Sequence, residues 1–376
     1  MSQINSTRLS STAAPTPDAK VQEALAAGER LRFRHTAMIV IMVVALALAA
    51  SLGMASGSVS VPFGEVWSIV WQHVAHPATV APGLGIDTII WQIRFPRVVL
   101  GALVGAGLAV LGVVVQAMVR NPLADPYILG VESGASAGAV AVVFYGGAFS
   151  AGPITPAVGG FIGAISTLFL VFALARSGGR VSAVRLLLVG VSLSYALSGF
   201  TSFVLYSTRD PAAQGAILFW ILGGLGGAEW SRIPVVAGAL LVGIVCIWYY
   251  ARSLNALAVG DESASALGMA PDKLRVRLFV VCSLAVAMIV ATAGPIGFVG
   301  LVVPHVARML VGADHRRVIP AALLLGAAYL VAVDIVARTV FAPSEIPIGV
   351  VTAMLGTPFF LWLIRRRGSS ALKEAA

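Results

Sequence analysis

The stretch Val98-Val-Leu-Gly-Ala-Leu-Val-Gly-Ala-Gly-Leu-Ala-Val-Leu-Gly-Val-Val-Val115 carries no polar or charged side chain from its first residue to its last. A helix needs about 20 mainly apolar residues to cross the hydrocarbon core of a bilayer. We therefore predict a membrane-spanning helix over about 98–119. Similar apolar runs recur along the chain, separated by short segments that hold most of the Lys and Arg residues, so the sequence predicts a protein whose main solvent is the bilayer.

The composition of the whole chain points the same way. Of its 376 residues 59% are hydrophobic and 11% are charged, and the mean hydropathy is +0.94. A soluble domain needs roughly a quarter of its residues charged. The net charge of +9 does not indicate nucleic-acid binding, because the basic residues form short clusters between apolar runs. Cys246 and Cys282 lie inside apolar runs without metal-ligand spacing, so we predict buried hydrophobic residues and no metal site.

Hydropathy over windows of about 19 residues predicts ten spans and an all-α, polytopic membrane fold. Residues 1–35 are expected to form a flexible cytoplasmic tail, 36–367 the transmembrane domain and 368–376 a second cytoplasmic tail. The first apolar run is longer than a signal-peptide core, so we expect it to remain as a span. The ten predicted spans are 36–56, 98–119, 130–147, 156–175, 185–206, 233–250, 276–293, 297–311, 318–339 and 348–364.

The basic residues predict the orientation. Ten spans place both ends of the chain on one side of the membrane, and only five of the 25 basic residues then fall on the opposite side. Those five are Arg94, Arg97, Arg209, Arg232 and Arg338. Because Lys and Arg concentrate in cytoplasmic loops, both termini are predicted to be cytoplasmic, in the inner (plasma) membrane.

Two predicted spans are unusual. The third carries Glu132 and the eighth carries His305 and Arg308, so both are expected to face protein or a water-filled cavity, and a half-span or helical hairpin is the alternative for each. Glycines recur every fourth residue in the second and third spans, which favours close helix packing. These glycines are Gly101, Gly105, Gly130, Gly134 and Gly138.

No motif for catalysis stands out. The sequence has no phosphate-binding loop ending in Gly-Lys-Ser/Thr and no Ser/His/Asp or Cys/His arrangement with reason to converge. We therefore predict that the chain is not an enzyme, hydrolyses no ATP itself and binds no cofactor. An ion-driven secondary transporter is the competing class, but such proteins usually keep an acidic residue near the middle of the membrane. In this sequence the acidic residues cluster at the ends of the predicted spans, and Asp334 is the deepest of them. A secondary transporter is therefore the less favoured class.

The segment Ser253-Leu-Asn-Ala-Leu-Ala-Val-Gly260-Asp-Glu-Ser-Ala-Ser-Ala-Leu-Gly268-Met lies in a loop between two predicted spans. Its pattern predicts two short helices broken at Gly260. The apolar residues Leu254, Leu257, Ala258, Ala264 and Leu267 form a face too small to span, beside the acidic pair Asp261 and Glu262. A short amphipathic element at a membrane surface lies on lipid or docks to a partner, and its acidic polar side favours a protein partner.

Several longer motifs lie between Trp91 and the last span: Trp91-Gln-Ile-Arg-Phe-Pro-Arg97, Val115-Gln-Ala-Met-Val-Arg-Asn-Pro-Leu-Ala-Asp-Pro126, Gly130-Val-Glu-Ser-Gly-Ala135, Phe219-Trp-Ile-Leu-Gly-Gly224, Gly294-Pro-Ile-Gly-Phe-Val-Gly-Leu-Val-Val-Pro-His305, Asp314-His-Arg316, Asp334-Ile-Val-Ala-Arg338 and Glu345-Ile-Pro-Ile-Gly-Val-Val351. In these motifs, from about Trp91 to the last span, the chain resembles the FecCD-type permease subunits of type II ATP-binding-cassette (ABC) importers, which take up iron-siderophore complexes, haem or cobalamin. The first 35 residues have no counterpart in the family pattern.

The resemblance implies partners. We expect a homodimer or a heterodimer of two ten-span permeases, with substrate passing along the two-fold axis. A cytoplasmic ATPase dimer, which uses ATP and Mg, would dock on one side and a substrate-binding protein on the other. The segment 253–269 matches the family's coupling helices. For ATPase coupling the resemblance implies Leu254, Leu257, Gly260, Asp261, Glu262, Leu267 and Gly268.

The resemblance also assigns roles to single residues. Arg94, Arg97 and Arg338 match arginines that receive glutamates of the binding protein, a pairing that favours oriented docking. Asn121 and Leu123 match one cytoplasmic gate. A second gate falls just before the fifth span and carries small hydroxyl residues in cobalamin importers. This chain has Ser182-Ala183-Val184 there, and Ala183 and Val184 depart from that pattern. Gln116 and Trp220 are expected along the pathway, with Trp220 on a short helix over its mouth; for Trp220 an interfacial anchor is equally compatible with the sequence.

The resemblance indicates a class of cargo but no single compound. The departure at Ala183 and Val184 favours an iron chelate, either a siderophore complex or haem, over cobalamin, which is the alternative. A precursor of a deazaflavin-type cofactor is a further possibility within the family.

Overall fold

The computed structural model of the protein describes residues 17–57, 59–76, 85–146, 155–177, 180–181 and 183–374. Helices dominate these residues, and their only strands are β1 (Arg176–Ser177) and β2 (Arg180–Val181), which pair antiparallel. The helices are α1 Pro17–Ala55, α2 Phe63–Ala75, α3 Ile86–Thr88, α4 Phe95–Val119, α5 Val131–Gly146, α6 Pro156–Ala175, α7 Ala183–Ser207, α8 Pro211–Ile221, α9 Ile233–Tyr249, α10 Ala251–Val259, α11 Asp261–Ala266, α12 Pro271–Ala293, α13 Val299–Val311, α14 His315–Thr339 and α15 Ile348–Glu374. A π-helix, Ile89–Arg94, joins α3 to α4, and a 3-10 helix, Pro126–Leu129, precedes α5.

Each of the ten predicted spans coincides with a helix, and the all-α membrane fold is confirmed. Among the described residues, six helical stretches are long and apolar enough to cross a membrane, and α9 with α10, bent by 57°, makes a seventh if the pair counts as one span. The third and eighth predicted spans are the short helices α5 and α13. At a rise of about 1.5 Å per residue, the 13 residues of α13 reach well short of the hydrocarbon thickness.

The chain divides into two units, residues 1–41 and residues 42–376. In the first unit the described residues, from Pro17 onward, belong to helix α1. The predicted N-terminal tail therefore has a helical backbone from Pro17, and residues 1–16 lie outside the described part of the chain. At the other end, α15 runs to Glu374, so the backbone of the predicted C-terminal tail is helical over most of its length.

Helix α4 forms the centre of the second unit. In its most apolar stretch 83% of the residues are buried, against 17% for α7, whose exposed face is therefore open to lipid or to a partner. Glycine allows this central helix to touch its neighbours through backbone atoms. A Cβ placed on Gly105 would overlap the carbonyl oxygen of Gly326 in α14, and one on Gly112 would overlap that of Gly300 in α13.

Helices α5 and α6 meet in the same way. A Cβ on Gly134 would overlap Thr167, and one on Gly138 would overlap the carbonyl of Gly159. The four-residue glycine spacing in the sequence thus marks the faces on which α4 and α5 pack, as small residues do between membrane helices.

Three non-helical segments meet where α8, α12 and α15 end or begin. Gly224 N donates to the carbonyl of Ala293 (2.8 Å), Ile348 N donates to the carbonyl of Gly223 (3.0 Å), and Ile296 N donates to the hydroxyl of Tyr127 (3.0 Å). Irregular backbone is tolerated within a membrane protein only where its polar groups find partners inside the protein. These bonds therefore account for the break in the chain that makes α13 short.

Candidate functional site

The guanidinium group of Arg94 is buried at the C-terminal end of α1. Its Nη1 donates to the carbonyls of Met54 (2.9 Å) and Ala55 (3.0 Å), and Nη2 donates to the carbonyl of Val59. The last carbonyls of a helix lack partners within it, and a cation there also interacts favourably with the helix dipole. Only 4% of Arg94 is exposed. This arginine therefore closes the end of a span.

Asp334 links two further arginines. Its Oδ1 accepts from Arg97 Nε (2.8 Å) and its Oδ2 accepts from Arg338 Nε (2.9 Å), one turn along α14. Arg97 Nη1 also donates to both carboxylate oxygens of Glu345 (3.0 and 2.9 Å). Asp334 is 2% exposed. Because both of its carboxylate oxygens bind guanidinium groups, the deepest candidate acid for ion coupling is occupied within the fold.

Arg338 extends this network to α1. Its Nη2 donates to the carbonyl of Gly53 (2.8 Å) and its Nη1 donates to that of Ser56 (3.1 Å). Arg94, Arg97 and Arg338 are thus partnered within the chain, and none is more than 7% exposed. The structure shows these three arginines buried rather than exposed in loops, and their pairing with the glutamates of a binding protein stays a prediction. Their charges hold together the ends of α1, α4 and α14.

The predicted coupling segment has the expected shape. Helices α10 and α11 are separated by Gly260, whose φ of 151° favours glycine. Leu254, Leu257 and Ala264 are fully buried against the rest of the chain. The side chains of Leu254 and Leu257 thus anchor the segment to the rest of the chain, and their part in ATPase coupling stays a prediction.

The outer side of this segment is open. Val259 is 76% exposed and Leu267 is 72% exposed, and Glu262 and Gly268 are exposed beside them. Large apolar side chains exposed at the end of a span, around an acidic group, are suited to contact with another protein.

Arg275 of α12 connects this segment to the end of α4. Its Nη1 and Nη2 bind the two carboxylate oxygens of Asp261 (3.0 and 2.6 Å), and its Nε donates to the carbonyl of Met118 (3.2 Å). The hydrogen bonds from Arg275 lower the pKa of Asp261, an effect that burial opposes and the charges of Arg275 and Arg120 reinforce. A lowered pKa keeps the carboxylate charged at neutral pH, and the ion pair is lost only as the pH falls through that lowered pKa.

A second connection joins α10 to α14. Asn255 Nδ2 donates to Asp314 Oδ1 (2.8 Å), and Asn255 Oδ1 accepts from the backbone N–H of His315 (2.9 Å). Asp314 also caps α14 by accepting from Arg316 N. The hydrogen bond from Asn255 lowers the pKa of Asp314. The coupling segment is therefore tied to two different helices by polar contacts.

The predicted cytoplasmic gate lies directly after α4. Asn121 and Leu123 are both exposed, and Asn121 Oδ1 accepts from Leu123 N (2.9 Å). Arg120, in the left-handed conformation at the end of α4, turns the chain into this segment. Ala183 and Val184 begin α7, but their side chains lie outside the described part of the structure. That these two segments form the cytoplasmic gate stays a prediction.

Gln116 and Trp220 occupy different surroundings. Gln116 is buried between α4 and α13, where Nε2 donates to the carbonyl of Gly300 (3.2 Å) and Oε1 accepts from Arg308. Within this chain Gln116 therefore makes a packing contact between α4 and α13, and its place along the pathway stays a prediction. Trp220 lies on the short helix α8, as predicted, and borders a cavity of about 260 Å³. The cavity lies among the ends of α6, α8 and α12, with Arg232 at its edge.

Sequence reasoning missed the two residues that fasten the coupling segment. Neither Arg275 nor Asn255 belongs to a motif that assigns it a role. Asp314 belonged to a motif without an assigned role. Their partners Met118 and Asp314 lie 157 and 59 positions away, so no local spacing reveals them.

The comparisons with known proteins agree with this architecture. The FecCD transport family matches residues 31–366. The cobalamin import system permease protein of Halobacterium salinarum is 39% identical over 345 residues, which is 92% of each chain. The hemin transport system permease protein of Yersinia pestis is 41% identical over 285 residues, 74% of this chain and 84% of that protein.

A solved structure extends the agreement to the fold. It is described as a metal-chelate type ABC transporter in an inward-facing conformation. It superposes with a TM-score of 0.76 at 30% identity over 88% of this chain and 99% of its own. The sequence match and the structural match cover the same membrane domain, and the chain belongs to the FecCD transport family of permease subunits of ABC importers.

Proposed function

We propose that this permease forms the translocation pathway for an iron chelate, a siderophore complex or haem, in the inner membrane. A substrate-binding protein delivers the cargo, and a separate ATPase dimer supplies the energy from ATP and Mg. The observation that carries the proposal is the family match from residue 31 to residue 366, together with an exposed coupling segment at the predicted place.

The ATPase docks on the exposed side of α10 and α11. Val259 and Leu267 supply apolar contact, and Glu262 supplies a charge. Leu254 and Leu257 contribute to coupling indirectly, because their buried side chains hold the segment to the membrane domain. Gly260 and Gly268 allow the turns at the ends of the two short helices, since both have positive φ values.

Movement of the docked ATPase reaches the gate through Arg275. This side chain binds Asp261 in the coupling segment and the Met118 carbonyl three residues before Asn121. Only 14% of the Arg275 side chain is exposed. The charge-assisted contacts of a partly buried, bidentate pair are stronger than those of an exposed ion pair. A displacement of α11 is therefore transmitted to the end of α4.

The orientation follows from the distribution of charge. Of the five basic residues on the non-cytoplasmic side, Arg94, Arg97 and Arg338 are buried and paired. Charges neutralised inside the fold weigh little in a rule that concerns loops. Of the five, only Arg209 and Arg232 then count as basic loop residues on the non-cytoplasmic side. This larger charge asymmetry supports cytoplasmic termini and a cytoplasmic coupling segment.

A second copy of the chain completes the pathway. Helix α7 is mostly exposed along its length, with Tyr195 79% and Tyr206 90% exposed. Aromatic side chains of this size and polarity suit an interface or a lined passage better than the centre of a bilayer. A homodimer would bring two such helices together around the axis along which the cargo passes.

Relatives of this chain are named for hemin, ferric citrate, hydroxamate and cobalamin import. These names share one property: each cargo is a metal held in an organic ligand. Ala183 and Val184 replace the small hydroxyl residues expected of a cobalamin gate, so an iron chelate is favoured. Cobalamin remains the alternative because a cobalamin permease is 39% identical.

Uptake in a deletion strain tests the cargo. Cells lacking this permease are given ⁵⁵Fe-siderophores, haem or ⁵⁷Co-cobalamin, with the wild-type gene restored as the control. We expect loss of iron-chelate uptake with cobalamin uptake unchanged. Loss of cobalamin uptake alone would overturn the iron assignment. Uptake by the purified permease in liposomes without an ATPase, driven by an ion gradient, would overturn the importer mechanism itself.

A further inference from the structure

Helix α2 presents three different faces. Val66, Ile69 and Val70 are buried against the rest of the protein. Glu65, Ser68 and Gln72 lie on a second, exposed and polar face. The third face is exposed and apolar. A helix on a soluble surface needs only one apolar face, turned to the core, so the exposed apolar face requires another explanation.

The exposed apolar face is largely aromatic. Phe63 and Trp67 are each 50% exposed, Trp71 is 68% exposed and Val74 is 61% exposed. Spacings of four, four and three residues place these side chains in one stripe along the helix. Tryptophan has an apolar ring system and a polar N–H, and it is enriched where hydrocarbon meets water.

The start of α2 is fixed at the end of a span. Val61 N donates to the carbonyl of Ala55, the last residue of α1 (3.1 Å). Arg94 binds the carbonyls of both Ala55 and Val59, on the two sides of the turn. The 23-residue apolar stretch Phe33–Ala55 ends there. The first residues of α2 therefore lie at the level where α1 leaves the membrane.

The other end of α2 is fixed at the start of the next span. The ring of His73 stacks on Trp91 with 4.3 Å between centroids. Trp91 lies four residues before α4 and also packs on Trp230, which donates its indole N–H to the Trp91 carbonyl (2.7 Å). Consecutive spans joined by one loop have these ends on the same side of the membrane. With both ends held at one boundary, α2 is constrained to run along that boundary.

We propose that α2 is an interfacial helix, and that the stripe Phe63, Trp67, Trp71 and Val74 inserts into the bilayer at the edge of the permease. The buried face contacts the protein, the aromatic face contacts lipid and the polar face contacts water. The exposed polar face carries Glu65 but neither Lys nor Arg. Burial of the rings, and not attraction to anionic headgroups, therefore drives the insertion.

The experiment places a spin label at single positions of the full-length chain in nanodiscs. In a Cys246→Ala, Cys282→Ala background, Trp71→Cys reports on the aromatic stripe and the neighbouring Gln72→Cys is the matched control on the polar face. Relaxation by oxygen, which concentrates in lipid, is compared with relaxation by a water-soluble nickel complex. We expect the label at 71 to read about 5–10 Å deeper than the label at 72, both in phosphatidylcholine and with phosphatidylglycerol added.

Three outcomes overturn the proposal. Equal access of the nickel complex to both labels would place the stripe in water. Shielding of position 71 from oxygen as well as nickel would mean that a second copy of the chain covers it. A depth that appears only with phosphatidylglycerol would contradict insertion driven by the rings. Val74→Cys, on the same stripe, repeats the measurement if Trp71→Cys does not fold.

Discussion

Asp334 is the residue on which two buried arginine side chains depend. It accepts from both Arg97 and Arg338, while only Arg97 has a second carboxylate partner, Glu345. A buried ion pair contributes little net stability when intact, because desolvation offsets the attraction. Removing one partner is costly, since it leaves an uncompensated charge inside the protein.

We expect Asp334→Asn to destabilise the permease. Loss of the carboxylate leaves Arg97 and Arg338 without their shared counter-charge, which costs roughly 3–5 kcal/mol. Thermal denaturation of the detergent-solubilised protein, followed by size-exclusion chromatography, measures the effect as a lower melting temperature. Glu229→Gln is the control, because Glu229 is 59% exposed and pairs with Arg232 at 3.5 Å, and exposed pairs contribute about 0–1 kcal/mol.

The same assay separates the structural role of Arg97 from the docking role. Arg97→Gln should lower the melting temperature, because it removes bonds to Asp334 and Glu345. A variant with wild-type melting temperature that no longer responds to the binding protein would support the docking role and contradict the buried network.

Single-residue environments are where sequence reasoning reached its limit. The spacing and side of Arg94 and Arg97 made them look like loop charges. Whether a charge is buried depends on tertiary partners, and Glu345 lies 248 positions from Arg97. The burial of Gln116 likewise depends on a distant partner, because Gly300 lies 184 positions away.

At the scale of elements, the coupling segment divides its residues between two tasks. One side anchors it through buried leucines and polar contacts with α12 and α14, and the other side is exposed and is the proposed ATPase contact. Substitutions on the exposed side are expected to affect assembly with the ATPase. Substitutions on the anchoring side are expected to affect the transmission of movement to the gate.

Glu262→Arg should leave the permease in the membrane but prevent its co-purification with the ATPase. The substitution places a positive charge at the centre of the exposed docking face, where like charges or unpaired charges oppose association. Affinity purification of a tagged permease, with quantification of the bound ATPase, measures this. Glu229→Arg, an exposed charge reversal outside this segment, is the control. Normal co-purification and transport by Glu262→Arg would remove α11 from the interface.

Arg275→Gln should spare assembly and reduce transport. The docking face is unchanged, but the contacts to Asp261 and to the Met118 carbonyl are weakened. Loss of about 1.4 kcal/mol of coupling corresponds to a factor of about ten, so we expect uptake to fall by about that factor while ATP hydrolysis continues. Arg252→Gln, at an exposed position of α10, is the control. Unimpaired uptake by Arg275→Gln would show that the gate moves by another route.

Elements were well predicted wherever a local signal defines them. Each of the ten spans predicted from hydropathy coincides with a helix, six or seven of which are long enough to cross a membrane, and Gly260 marks the break between α10 and α11. The shortness of α13 was left open, because it depends on bonds from distant segments, such as that between Ile296 and Tyr127. Helix α2 was missed altogether, since its three faces do not give a continuous apolar run.

At the scale of the whole molecule, the orientation is directly testable. A cysteine at Ser369, in the Cys246→Ala, Cys282→Ala background, should react only with a membrane-permeant reagent in intact spheroplasts, because the C-terminal end is expected in the cytoplasm. A cysteine at Arg209, on the opposite side, is the control and should react with an impermeant reagent. The reverse pattern would invert the topology.

The glycine contacts between α4 and α14 have a mechanical consequence. A side chain between two helices can change rotamer and absorb a small displacement, as a spring does. At Gly105 and Gly326 no side chain separates the two helices, because their backbones are in direct contact. Sliding one helix along the other would drive carbonyl oxygens together, so the two helices behave as a single stiff lever. Asn121 follows the end of α4 and would move with this pair of helices. Conformational changes during transport would then occur at helix contacts elsewhere in the bundle.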